Sequence, residues 1–251
     1  MRKVLLLIGC AMLGVVSLSA LPQEPQSAVA ALSKEASNGD QKKLETKADL
    51  LEFIATLEGA YRLGDKSKGY LIGGVYAQEH KLKDGIIPAD IPLALQYFKE
   101  ALNNGYGLSA WYITLLDYIP NKEPYKALDI LEKGLNAKYC DSASKATISL
   151  TFGTIVLENL KDNERMVRKA RDLIYPFAIN SNLASVDYVL ANLLNLNNEP
   201  EEANKFLNSA CNNPQAPAEI KNACMGGSEI ETKDEKTGQI IKKEESECGK
   251  K

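Results

Sequence analysis

The chain holds 251 residues with a net charge of −3, five cysteines, one histidine and one tryptophan. That balance provides no basic field for nucleic acid or an anionic membrane surface. A lone histidine, His80, and the lack of any C-x-x-C leave too few donors for a zinc or redox site, so no metal or cofactor is expected.

The first element is Met1 to Ala20, M-R-K-V-L-L-L-I-G-C-A-M-L-G-V-V-S-L-S-A. A basic start, an apolar run to about Val16 and the small-x-small Ser17-Leu18-Ser19 predict a secretory signal peptide, residues 1–20, too short for a membrane span. Its removal takes away Arg2 and Lys3 and carries the net charge from −3 to −5. A second reading takes Leu7-Ile8-Gly9-Cys10 as a lipobox, which would make Cys10 a lipidated outer-membrane anchor. No later stretch is apolar enough to span a membrane. The mature chain is therefore expected in the periplasm or secreted.

Residues 21–46, rich in Ala, Ser, Gln and Lys, read as an N-terminal spacer. From Lys47 to Leu63, apolar residues at 50, 51, 54, 57 and 61 predict a helix. The informative stretch is Asp90 to Gly105, D-I-P-L-A-L-Q-Y-F-K-E-A-L-N-N-G. Asp90 is placed to cap a helix, Pro92 suits its first turn, and Gly105 is placed to end it. Ala94, the Tyr97-Phe98 pair and Ala101 set a small-large-small face. The same stencil recurs from Glu123, Met166 and Glu199, with marker alanines at 94, 127, 170 and 203, spaced 33, 43 and 33 residues apart. Partner helices headed by Ala110, Ala146 and Ala184, 36 and 38 residues apart, precede the later copies. Such periods indicate stacked helix pairs.

Ile72-Gly73-x-x-Tyr76, Gly85, and Asp90-x-x-x-Ala94-x-x-Tyr97-Phe98-x-x-Ala101-x-x-x-Gly105 together resemble a Sel-one-like repeat, a cousin of the tetratricopeptide repeat. The match is good over about 68–105 and holds only at alanine and apolar positions onward to 214. Lys138, Ser181 and Pro214 stand where closing glycines would be. The resemblance implies an all-α fold, a right-handed α/α superhelical solenoid of about four helix-pair repeats spanning residues 47–224. It also implies a protein-binding scaffold rather than an enzyme, with another envelope or secreted protein as partner. A cysteine-rich branch of the family is linked to β-lactam binding, which suggests an alternative function in β-lactam or peptidoglycan binding. A cysteine pair does not recur in each repeat here.

On the first helix of each pair, the head alanine and the residues four and eight later are read as the core face. Positions two and six then carry a second apolar stripe: Tyr112 and Leu116, Ile148 and Phe152, Val186 and Leu190. With Trp111 beside Tyr112, these are the candidate partner-binding residues. The competing reading is that the stripe packs helix against helix. Cys211 and Cys224 are 13 residues apart, the second on a short helix, and a bridge between them would pin a terminal cap. Two buried free thiols are the alternative; Cys140 and Cys248 are a weaker pair. His80 is read as an exposed loop residue, since nothing near it resembles G-x-S-x-G or S-x-x-K and no catalytic residue is expected. The segment 225–251 carries 13 charges in its last 24 residues. It reads as a disordered tail, or as a weak hairpin turning at Lys236-Thr237-Gly238.

Overall fold

The computed structural model describes residues 44–179 and 182–225, with the backbone of 232–233 and 240–241. The expected signal peptide, Cys10, most of the spacer and Cys248 lie outside the described residues. Helices α1 (Lys47–Arg62) and α2 (Ser67–Tyr76) come first, followed by strands β1 (His80–Leu82) and β2 (Gly85–Ile87). Next are α3 (Ile91–Asn103) and α4 (Ser109–Ile113), the latter continuing as a π-turn over Thr114–Tyr118. Helices α5 (Pro124–Leu135), α6 (Ser142–Asn159), α7 (Glu164–Ala178), α8 (Ala184–Leu196), α9 (Pro200–Asn212) and α10 (Ala218–Met225) complete the array. Past them, β3 (Thr232–Lys233) and β4 (Ile240–Ile241) pair antiparallel in the register a hairpin would give.

Local chemistry accounts for the helix ends. Thr46 and Asp49 form a reciprocal capping box at α1, each side chain taking the other's backbone N–H at 3.2 and 3.0 Å. Asp90 accepts from Leu93 N at 3.1 Å, Asp141 from Ser144 N at 2.7 Å and Asn163 from Met166 N at 3.2 Å. Pro at the start of α3, α5 and α9 occupies positions that have no N–H partner to lose. Gly105 ends α3 at φ +94°, a conformation that suits glycine.

Each helix packs on the next, and the first helices of successive pairs also touch: α4 meets α6, and α6 meets α8. The second helices, α3, α5, α7 and α9, make no comparable approach to one another. Long side chains join them instead: Lys169 to Glu132 at 2.6 Å, Lys133 to Asn103 at 2.8 Å, and Arg171 to Glu199. Packed backbones on one side and side-chain bridges on the other define an inner layer (α4, α6, α8), which α2 joins through the Tyr70–Tyr112 ring contact, and a splayed outer layer. The repeat stencil maps onto this directly. Ala94, Ala127, Ala170 and Ala203 are all 1% exposed or less, and Phe98, Leu131 and Ile174 stand one turn on, equally buried.

Glycine marks the tightest approaches. A Cβ on Gly134 would lie 2.6 Å from Ala110 Cβ and 2.7 Å from the Gly107 carbonyl, so α5 seats directly on the start of α4. The loops there add a bridge, with Tyr139 N donating to Gly105 O at 2.8 Å and Gly107 N to Tyr139 O at 3.0 Å. At the amino end, Glu58 of α1 accepts from Tyr76 and Tyr97 hydroxyls at 3.4 and 3.2 Å, and Tyr61 donates to Glu100 of α3. Burial first, and those carboxylates second, push Tyr61 and Tyr97 up to about 12.

Two features differ from the sequence expectation. The link between α2 and α3 is a hairpin, with His80 in β1 paired to Ile87. His80 is half-buried, and its Nε2 lies 2.8 Å from the Val75 carbonyl, an arrangement that requires Nε2 to donate. Leu82 and Ile87 fold onto the α1–α2 core, which is what draws the strand in from solvent.

Two glycines give opposite expectations. Gly59, exposed in α1, has nothing within 4 Å of the point where a Cβ would stand, so Gly59→Ala stabilises by about 0.5–1 kcal/mol through the unfolded chain. Gly134→Ala meets a backbone carbonyl and destabilises by about 1–3 kcal/mol despite the same propensity gain. Urea unfolding of the two variants beside the parent measures both signs.

Candidate functional site: the inner face

The seven candidate partner-binding residues do not share a surface. Ile148, Phe152, Val186 and Leu190 are at most 3% exposed and belong to one core cluster with residues of α5 and α7. They are interior packing and are not offered to a partner, which corrects the expected groove. Tyr112 stacks on Phe98 of α3 at 4.6 Å and stands edge-on to Tyr70 of α2 at 5.7 Å. Burial raises its hydroxyl pKa. Leu116 packs in the same cluster. Both residues therefore seal the joint between the first and second helix pairs. Only Trp111 remains on the inner side, half-buried, its Nε1 donating to Thr151 Oγ1 of α6 at 3.0 Å.

The reason is visible on α6. From Ile148 to Val156 every residue is buried, so residue type alone gives the helix no direction. Its contacts do. A Cβ on Gly153 would meet Ile174 of α7, and Val189 and Leu193 of α8. Phe152 lies under Lys169 of α7. At 100° per residue, the stripe opposite these contacts is Thr147, Thr151, Thr154 and Glu158. The same face on α8 carries Tyr188, Asn192 and Asn195, all at least partly exposed, and on α4 it carries Trp111, which is half-buried. The residues four and eight after the head alanine, taken as core on α8, are Tyr188 and Asn192 and belong to this inner face.

The inner face is thus aromatic at α4 and polar at α6 and α8. Thr151 and Thr154 satisfy their hydroxyls on the carbonyls of Thr147 and Leu150, both at 3.0 Å, and form a floor. Asn192 donates one amide hydrogen to Tyr188 O at 2.8 Å, and its amide oxygen stays available as an acceptor. Glu158 is the carboxylate of this stripe. Among the described residues, no hydrogen bond or ion pair reaches it. It is open to solvent yet crowded by protein atoms, and desolvation pushes its pKa up to about 7. By contrast, Asp117, Glu132 and Glu199 each hold a Lys or Arg.

Two surface depressions lie away from this face. One is lined by Glu164, Arg168, Lys169 and Asp172 on outer helix α7, the other by Tyr125, Leu160 and Asn163 at the α6–α7 turn. Both are open and charged or polar, and neither holds convergent chemistry. No group of three metal-ligating side chains occurs among the described residues.

No protein-family model matches the chain, and no curated protein matches it. Among solved structures it is similar to YrrB, described as a TPR protein with an unusual peptide-binding site. That likeness has a TM-score of 0.48 at 15% identity, over 80% of this chain and 100% of that one. The fold assignment rests on the helix packing itself.

At the carboxyl end, α10 contacts α8 and α9, as an inner helix contacts the pair before it. Ile220 is fully buried against Ala184, Ala210 and Ala216. Cys211 and Cys224 are brought together there with 5.7 Å between Cα atoms, within the span a bridge requires. Cys140 is half-buried and carries no bridge among the described residues.

Glu158 provides a test of the inner-face electrostatics. Its folded pKa is raised above the unfolded value, so folding favours the protonated form. The stability this confers is present below about pH 4.5 and is lost as pH rises through 7. Glu158→Gln should therefore match the parent near pH 4 and be more stable at pH 8, as thermal unfolding at the two pH values measures.

Proposed function

We propose that the protein is a non-enzymatic scaffold that holds an extended segment of a partner protein along its inner face. The observation that carries this reading is the stripe opposite the core, running from Trp111 through Thr147 and Glu158 to Tyr188 and Asn192. It mixes rings with the Asn192 amide oxygen and the Glu158 carboxylate, to which the fold gives no hydrogen bond among the described residues. Rings supply contact area at low entropic cost, and amides can pair with the backbone of an extended chain. The length suits the role: one continuous surface crosses three inner helices, and none of its side chains is a nucleophile–base pair.

The setting is read from the sequence. A signal peptide over residues 1–20 would deliver the chain to the periplasm or outside the cell, where another envelope or secreted protein is the partner. In that oxidising setting Cys211 and Cys224 form a disulfide, closing the array through α10. The Sel-one-like resemblance agrees with such a scaffold.

Two measurements check this. Asn192→Arg should abolish recovery of the partner from the source cells while leaving helicity and Tm unchanged. Trp111→Ala should abolish it with helicity kept but Tm lowered, since Trp111 also packs on the core and bonds Thr151. Arg168→Glu on the outer face should leave recovery intact. Loss of recovery with Arg168→Glu alone would move the binding surface to the outer layer. Separately, thiol labelling of the unfolded, unreduced protein should mark Cys140 and spare Cys211 and Cys224. The double variant Cys211→Ala with Cys224→Ala should lose about 3 kcal/mol in urea, the value for a loop of this length.

A further inference from the structure

The geometry points to a specific chemical preference within that scaffold reading, on which this inference rests. We propose that the inner face selects a partner segment carrying a lysine or arginine, whose cationic group pairs with Glu158.

Three observations converge on it. Glu158 continues the Thr147–Thr151–Thr154 stripe at the carboxyl end of α6, the inner helix that packs on both α4 and α8, and its side chain is exposed. It has no cationic partner in the described chain, although Asp117, Glu132 and Glu199 are each matched with one. The Thr151 and Thr154 hydroxyls of the same stripe are bonded to backbone carbonyls, and among the described residues no hydrogen bond or ion pair engages the Glu158 carboxylate. Although the side chain is exposed, partial desolvation by neighbouring protein atoms raises its pKa to about 7 and disfavours the charged form. A bound ammonium or guanidinium would reverse that penalty, and in a crowded site the pair is stronger than its surface equivalents. Charge complementarity therefore selects a cation rather than an acidic or purely apolar occupant.

The test is selection of a phage-displayed random dodecapeptide library on the full chain, on Glu158→Gln and on Glu158→Lys. Peptides retained by the parent should carry Lys or Arg at one fixed position. That enrichment should vanish on Glu158→Gln and give way to Asp or Glu on Glu158→Lys. For a selected peptide, affinity should fall at least tenfold with Glu158→Gln, and replacing its basic residue by alanine should cost the parent the same factor but the variant nothing. Trp111→Ala should weaken every peptide whatever its charge. Peptides that bind in a Trp111-dependent way with no basic position, or with affinity indifferent to Glu158→Gln, would overturn the charge preference and leave the scaffold reading standing. A parent that retains no peptide at all would overturn both.

Discussion

Everything in this fold depends on how closely one outer helix can approach its inner partner. The contact is set by a single side chain with no more than a methyl group, supplied in turn by Ala94, Ala127, Ala170 and Ala203. A larger residue would separate the pair and uncover Phe98, Leu131 or Ile174 one turn further on. Because the same spacing is enforced four times, each pair offers the next an equivalent shelf. The array can then lengthen without a central core of the usual kind. Glycine serves the same purpose where two backbones meet, at Gly134 against Gly107, and at Gly153 it leaves room for the side chains of Ile174, Val189 and Leu193.

Curvature follows from what remains on the two sides. Inner helices lie in direct contact, and α6 in particular is surrounded; its buried threonines satisfy themselves on their own backbone, while the Ser149 hydroxyl has no hydrogen-bond partner among the described residues. The outer helices stand too far apart for backbone contact and are spanned by Lys169–Glu132 and Arg171–Glu199. Exposed pairs of this kind contribute little to stability singly. Their significance is geometric, because they fix how far the outer layer opens.

Much of this is legible in the sequence. The alanine period, the capping positions Asp90 and Gly105 and the proximity of Cys211 to Cys224 follow from spacing and residue type. The direction of the inner face does not. Ile148 and Phe152 read as a free apolar stripe only if the helix has one buried side, whereas α6 has neighbours nearly all round. In such a helix hydrophobicity loses its compass, and the reliable signal is the threonine spacing at 147, 151 and 154. That pattern is silent about direction until the neighbouring helices are known. The hairpin at His80–Ile87 escapes sequence reading for another reason: its strands are three residues each and gain order by packing onto α1 and α2.

The cap has a consequence for assembly. Stacked helix pairs have an inherent tendency to continue, since the last pair presents the same shelf as every other, and a second copy could dock there. Here α10 occupies that shelf with only eight residues and one large buried side chain, Ile220. So small an element rests on few contacts, and the 5.7 Å between the Cα atoms of Cys211 and Cys224 sets its carboxyl end directly against the end of α9. The shelf is thereby filled by one short helix of the same chain rather than guarded by a repellent surface.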